Sequence, residues 1–199
     1  VPLNIFYYSF EIDEITKKAN WLSSLIYTKY ATVIPPEKIK GLGEFRLSDE
    51  ELKLVEAEIP VLDQMFAKIH WIWEAMNPTG IRNEVWRFLE QRGSFLKEDY
   101  IAEDHVTKQR IVKYISNNPN EQTIVVLDHI ALMKRERGFE LKANIDKMSE
   151  YFVTMRNILG ITPMVVQQFN QTLNSVDRQK FKGVDISPQQ NDFKDSSNC

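Results

Sequence analysis

Cysteine is nearly absent: the only one among 199 residues is Cys199, the last. That excludes an intrachain disulfide and a thiolate metal cluster, and a reducing, cytoplasmic setting is expected. Long apolar runs are missing as well, so no membrane span is expected. Glycine is scarce at 7 residues, and none of them belongs to a G-x-x-x-x-G-K-[ST] phosphate loop. No charge sign dominates: 25 Lys and Arg stand against 28 Asp and Glu, for a net charge of -3. Nothing in bulk attracts nucleic acid, and any contact with a phosphate backbone has to come from a local basic patch or from assembly. The chain opens at Val1 directly in strand-like sequence, without an initiator Met or a basic cleavable leader, and stops abruptly after Asp195, Ser196, Ser197 and Asn198. Both ends are those expected of a fragment. What is present, 43% hydrophobic and 27% charged residues, suits one globular α/β domain.

Leu3 to Tyr8 is apolar or aromatic but for Asn4, a buried strand that ends near Ser9. From Asp13, a suitable N-cap, the spacing turns helical through Ile15, Ala19, Leu22, Ile26 and Tyr30. Pro35 and Pro36 break this helix, and a short turn follows to Ile39. Ser48 and Glu51 form a capping box ahead of a stripe running from Leu52 to Phe66, which Pro60 should kink or interrupt. Ile69 to Trp73 reads as a strand, and Asn77-Pro78-Thr79 as the turn into a helix stopping at Gly93. Ser94 to Asn118, with Val106, Ile111, Val112 and Ile115 among Lys and Arg, is expected to be a helical excursion. Thr123 to Leu127 is an apolar strand whose next residue is Asp128. The cleanest periodicity is Leu141, Ile145, Met148, Phe152, Met155 and Leu159, a helix capped by Gly160, before a last strand over Ile161 to Val166. Gln171 to Cys199 is polar and reads as exposed loops. Strands alternating with helices imply a mostly parallel sheet flanked by helices on both faces.

Three strand ends carry polar groups of complementary chemistry: Glu11, Asp128 and Gln168. In a parallel sheet all three would face one crevice, the usual ligand site of open α/β folds. Asp128 is then either a carboxylate that holds a phosphate-bound magnesium ion, directly or through water, or the first polar residue after a strand. Glu11 is either a base that aligns a water or a solvated acid in a first helical turn. Gln168 is either a hydrogen-bonding sensor of a γ-phosphate or an ordinary loop residue. A lone histidine such as His129 is more commonly packed or capping than a ligand.

Ser9-Phe10-Glu11, Ile124 to Met133, Met164 to Gln171 and Asp192 to Ser197, in this order, resemble the ATPase domain of DnaB-type replicative helicases, a RecA-like fold. The Leu47 to Phe66 helix and the Asn77 to Gly93 segment agree with it in position. The resemblance implies an ATP-dependent, Mg2+-dependent DNA helicase of the replication machinery. In it Glu11 activates water, Asp128 is the Walker B aspartate toward Mg2+, and Gln168, with Asp128 at the nucleotide, couples its state to the DNA loops. It places Lys194, Asp195 and Ser197 on single-stranded DNA in the channel of a hexameric ring, with primase or a helicase loader as further partners. Residues 1–199 would then be one partial RecA-like domain, lacking the phosphate loop before residue 1 and the final strands after residue 199. The departures are specific: Gln171 stands where the family has Arg, His129 where it has Tyr, Gln167 where it often has Ser, and Lys194 and Asp195 where it has Arg and Glu. The alternative from a different class is a non-catalytic RecA-like module that binds DNA or a helicase and has lost the nucleotide site.

Overall fold

The computed structural model describes residues 2–42, 46–103 and 105–167. Four parallel strands form the central sheet: β1 (Leu3–Ser9), β2 (Ile69–Ile72), β5 (Gln122–Asp128) and β6 (Thr162–Val166), in the order β2-β1-β5-β6. β1 pairs with β5 along its whole length, from Leu3 opposite Gln122 to Ser9 opposite Asp128. β6 continues the ladder, with Val166 opposite Asp128. Three carboxyl ends are thereby brought level by backbone hydrogen bonding alone.

The period of two along β1 decides which helices cover which face. Phe6 and Tyr8 turn to one side with Val125 and Leu127, all nearly inaccessible, against α4 (Pro78–Glu90) and α5 (Leu141–Leu159). The α5 stripe expected from the sequence is the buried one, with Ile145, Met148 and Met155 at 0% exposure. On the other side Tyr7 packs on Trp71, which meets Trp21, Phe66 and Trp73 beneath α1 (Glu14–Tyr30) and α3 (Asp49–Phe66). A short α2 (Pro36–Ile39) joins the last two helices. The α/β fold with a parallel sheet covered on both faces is therefore the one expected. Among the described residues no helix is long and apolar enough to cross a membrane.

Local signals account for the helix limits. Asp13 accepts the Thr16 N–H at 3.0 Å, and Ser48 and Glu51 close the capping box that starts α3. Gly160 ends α5 at φ +69°, the left-handed position that glycine takes without a Cβ penalty. α3 runs on through Pro60, contrary to the expected interruption. Pro60 and Glu56 are both exposed, so the Glu56 carbonyl that loses its N–H partner faces water. α1 and α3 are joined by Glu58, 2% exposed, which takes hydrogen bonds from Lys29 at 2.6 Å and Tyr30 at 2.7 Å.

The expected helical excursion over Ser94 to Asn118 is overturned. The segment is an antiparallel hairpin, β3 (Gly93–Ile101) and β4 (Thr107–Ser116), forming a two-stranded sheet of its own. A register shift between Leu96 and Lys97 leaves Val112 as the extra residue, which breaks the period of two. The base is anchored by stacking of Phe95 on Trp86 at 5.0 Å and by Tyr114 behind it, while most of the remainder is solvent-exposed on both faces and carries no apolar alternation.

Candidate functional site

At the carboxyl end of the sheet, the β1–β5 ladder extends one residue further: the Phe10 N–H donates to the Asp128 carbonyl at 2.7 Å. Buried Ser9 donates its hydroxyl to the Ile12 carbonyl at 2.8 Å and bends the chain toward α1. Glu11 therefore stands in the bend between β1 and α1, outside the first helical turn, with 42% of its side chain exposed. Its Oε2 lies 3.9 Å from Nε2 of His129. His129 is buried, as a packed histidine should be, and its Nδ1 has no hydrogen-bond partner among the described residues. The Asp128–His129 peptide bond is cis.

Asp128 is held from the α1 side. Tyr7 donates its hydroxyl to Oδ2 at 2.8 Å, and the Lys17 ammonium donates to the same oxygen at 3.1 Å and to the Tyr7 oxygen at 2.7 Å. The Lys17 side chain is 8% exposed and that of Asp128 14%. Burial of the Lys17 ammonium acts to lower its pKa, but the Tyr7 hydroxyl and the Asp128 carboxylate outweigh it and the net direction is upward. Burial also pushes the Tyr7 hydroxyl up, against the opposing pull of Lys17. The result is a charged lysine, a neutral tyrosine and a carboxylate sharing one small polar island under the strand ends.

Sequence reading missed Lys17 and Tyr7. It placed Ile15 on the inward stripe of α1, whereas Ile15 is 70% exposed and Lys17 is turned inward, one helical turn before Trp21. The available signal was a lysine at the inner end of an otherwise apolar face, below a strand that terminates in an acid.

The sequence-selected residues divide as follows. Glu11 and Asp128 are brought together at neighbouring strand ends, and β6 is carried up to the same level. Gln168, the residue expected to complete the trio, lies outside the described residues, as do Gln171, Lys194, Asp195 and Ser197. Among the described residues no three acid, histidine or cysteine side chains converge on a common point that could hold a metal. Asp128 by itself fits the modest protein contribution that magnesium takes when phosphates and waters complete its shell. Its Oδ2 is already shared by two donors, so a metal would be taken at Oδ1.

No protein-family profile matches the sequence, and no curated protein matches it significantly. Among solved structures the fold is similar to that of a DnaB-like replicative helicase, a protein described with its interactions with primase. The superposition has a TM-score of 0.61 at 12% sequence identity, and covers 97% of this chain and 37% of the other. The chain thus spans little more than a third of that helicase. At this identity the likeness is one of fold, and the fold shared is the parallel α/β sheet flanked by helices.

Proposed function

We propose that the crevice at the ends of β1, β5 and β6 is the hydrolytic half of an ATP site, and that the chain is the core of an ATP-driven, DnaB-like DNA helicase domain. The observation that carries this is the position of Glu11 in the bend that follows β1, beside His129 and so next along the chain from Asp128, with the two segments held side by side by the Ser9–Asp128 register and the Phe10 N–H bond. In this reading Asp128 holds Mg2+ directly or through water, with Gln168 also at the nucleotide. Bound there, the ion neutralises charge on the β- and γ-phosphates. Glu11, exposed and beside His129, accepts a hydrogen bond from the attacking water and takes its proton. Gln168 reads the γ-phosphate. Lys194, Asp195 and Ser197 contact single-stranded DNA in a hexameric ring, and primase or a loader docks on the assembled protein. The sequence holds no phosphate loop, so the cradle for the phosphates comes from outside residues 1–199.

The test is phosphate release by a chain that joins residues 1–199 to a phosphate-loop segment. Glu11→Gln should abolish turnover, with nucleotide binding retained; unchanged turnover would refute the role of Glu11. Residues 1–199 alone should release no phosphate from ATP.

One observation favours the second reading, a non-catalytic RecA-like module that binds DNA or a helicase. The Lys17 ammonium supplies Asp128 with a built-in cation, which a carboxylate reserved for a metal does not need. This reading requires that Mg2+-ATP bind no better to the native sequence than to Asp128→Asn in the joined chain. A clear difference between the two removes it.

A further inference from the structure

The β3–β4 hairpin has two unlike faces. Residues opposite one another across an antiparallel pair share a face. On the inward face Phe95 and Tyr114 anchor the base, and Lys97, Asp99 and Gln109 follow toward the tip. The outward face carries Leu96 with Lys113, Glu98 with Arg110, and Tyr100 with Lys108. That is three cations against one carboxylate, on a protein of net charge -3. Arg110 pairs with Glu98 and also lies 5.5 Å from the Tyr100 ring centroid. Lys113 is exposed, and between the cations Leu96 and Tyr100 are 50% and 37% accessible. Because β4 leads through a short turn into the amino end of β5, the hairpin springs from the end of the sheet opposite Asp128. It is no part of the strand-end crevice.

We infer that this outward face is a docking surface for a single strand of nucleic acid. Lys108, Arg110 and Lys113 would meet successive phosphates, and a base would stack on Tyr100. Charge complementarity selects the occupant. Cations in a row with an interleaved aromatic match a chain that alternates phosphate and planar base. An acidic protein surface would have no comparable use for the exposed ring. The spacing agrees too: Lys108 and Arg110 are next-but-one along β4, about 6.6–6.8 Å apart and close to the phosphate spacing of an extended single strand, and the bulge at Val112 sets Lys113 opposite Leu96, next-but-one to Glu98 across from Arg110. The inference names a surface that the helicase reading does not assign. It holds or fails independently of the ATP chemistry.

The experiment is anisotropy of a fluorescein-labelled oligo(dT) with residues 1–199, titrated at several salt concentrations. Binding at low salt should weaken steeply as salt rises, and the log–log salt slope should fall by about 0.7 for each of Lys108→Ala and Lys113→Ala. Tyr100→Ala should weaken binding about tenfold or more and Tyr100→Phe should restore it, because stacking needs the ring and not the hydroxyl. Lys97→Ala, on the inward face, is the control and should match the native protein. Binding that all four alanine variants leave unchanged would overturn the hairpin surface while sparing the helicase reading. Lys97→Ala weakening binding as much as Lys113→Ala would overturn it also, by reducing the effect to bulk charge. No binding at low salt overturns it outright. All of these positions are exposed or partly so, and an unchanged circular dichroism spectrum verifies that each variant is folded.

Discussion

Removing the Lys17 ammonium should destabilise the protein far more than removal of a surface lysine, and the loss should depend on Asp128. At 3.1 Å the pair attract one another by about 5 kcal/mol at an effective dielectric constant of 20. Much of that is offset by the desolvation of both groups, whose side chains are 8% and 14% exposed. Breaking a buried pair from one side costs about 3–5 kcal/mol and an exposed pair at most about 1. With the Asp128 edge open to the crevice, Lys17→Met should cost about 2–3 kcal/mol, a fall in Tm of about 5–10 °C for a domain of this size. Asp128→Asn should cost a similar amount, because the buried Lys17 ammonium then loses its counter-charge and keeps only neutral acceptors. The double variant should lose clearly less than the sum, since neither charge is left unpaired. Urea unfolding followed by tryptophan fluorescence is a suitable assay, as Trp71 packs on Tyr7 at 4.8 Å and reports this face of the sheet. Losses that add to within about 0.5 kcal/mol would show that the two groups do not interact, and would refute the assignment of Lys17 as the partner of Asp128.

Other outcomes follow from neighbouring features. The Glu58 carboxyl is held below its ordinary value, first by Lys29 and then by Tyr30, so it favours the folded state above the unfolded pKa near 4.5. That contribution is lost as pH falls through the lower folded value, and Glu58→Gln should flatten the acid limb of a stability–pH curve below about pH 4.5. Gly160→Ala should cost about 1–2 kcal/mol in thermal unfolding from the left-handed backbone alone, because nothing lies within 4 Å of an added Cβ. At Gly93 the reverse holds: a Cβ would collide with the Ile115 carbonyl and, at 2.6 Å, with the Tyr114 ring. Gly93→Ala should therefore loosen the base of the hairpin, read as faster proteolysis between residues 93 and 116 with the central sheet still protected.

How far the fold could be read from the sequence depended on how completely each element is buried. α5 has one long stripe inside and polar residues outside, and its period survives in the sequence with the glycine that ends it. β5 lies between two strands and under two layers, so its apolar run is unmistakable. The hairpin lacks both signals. Its contact with the core is confined to Phe95, Tyr114 and their neighbours, its charges pair across strands, and a bulge at Val112 shifts the pattern halfway. Exposed two-stranded ribbons are specified by turn and cross-strand pairs, which a window of hydrophobicity does not register. In the candidate site, Asp128 and Glu11 were legible because strand ends are marked by abrupt polarity. Lys17 was not, since a buried lysine on an amphipathic helix is distinguishable from a solvated one only when its partner 111 residues away is known.

The hydrogen bond from Phe10 to the Asp128 carbonyl is a small feature with an architectural consequence. It makes the separation of the two acid-bearing segments a property of main-chain atoms, which every amino acid other than proline can reproduce. Side chains at positions 11 and 128 can then be exchanged one at a time without altering the spacing between their backbones. The strand ends thus behave as a mounting with fixed pitch, on which different reactive groups can be installed while the frame stays in register.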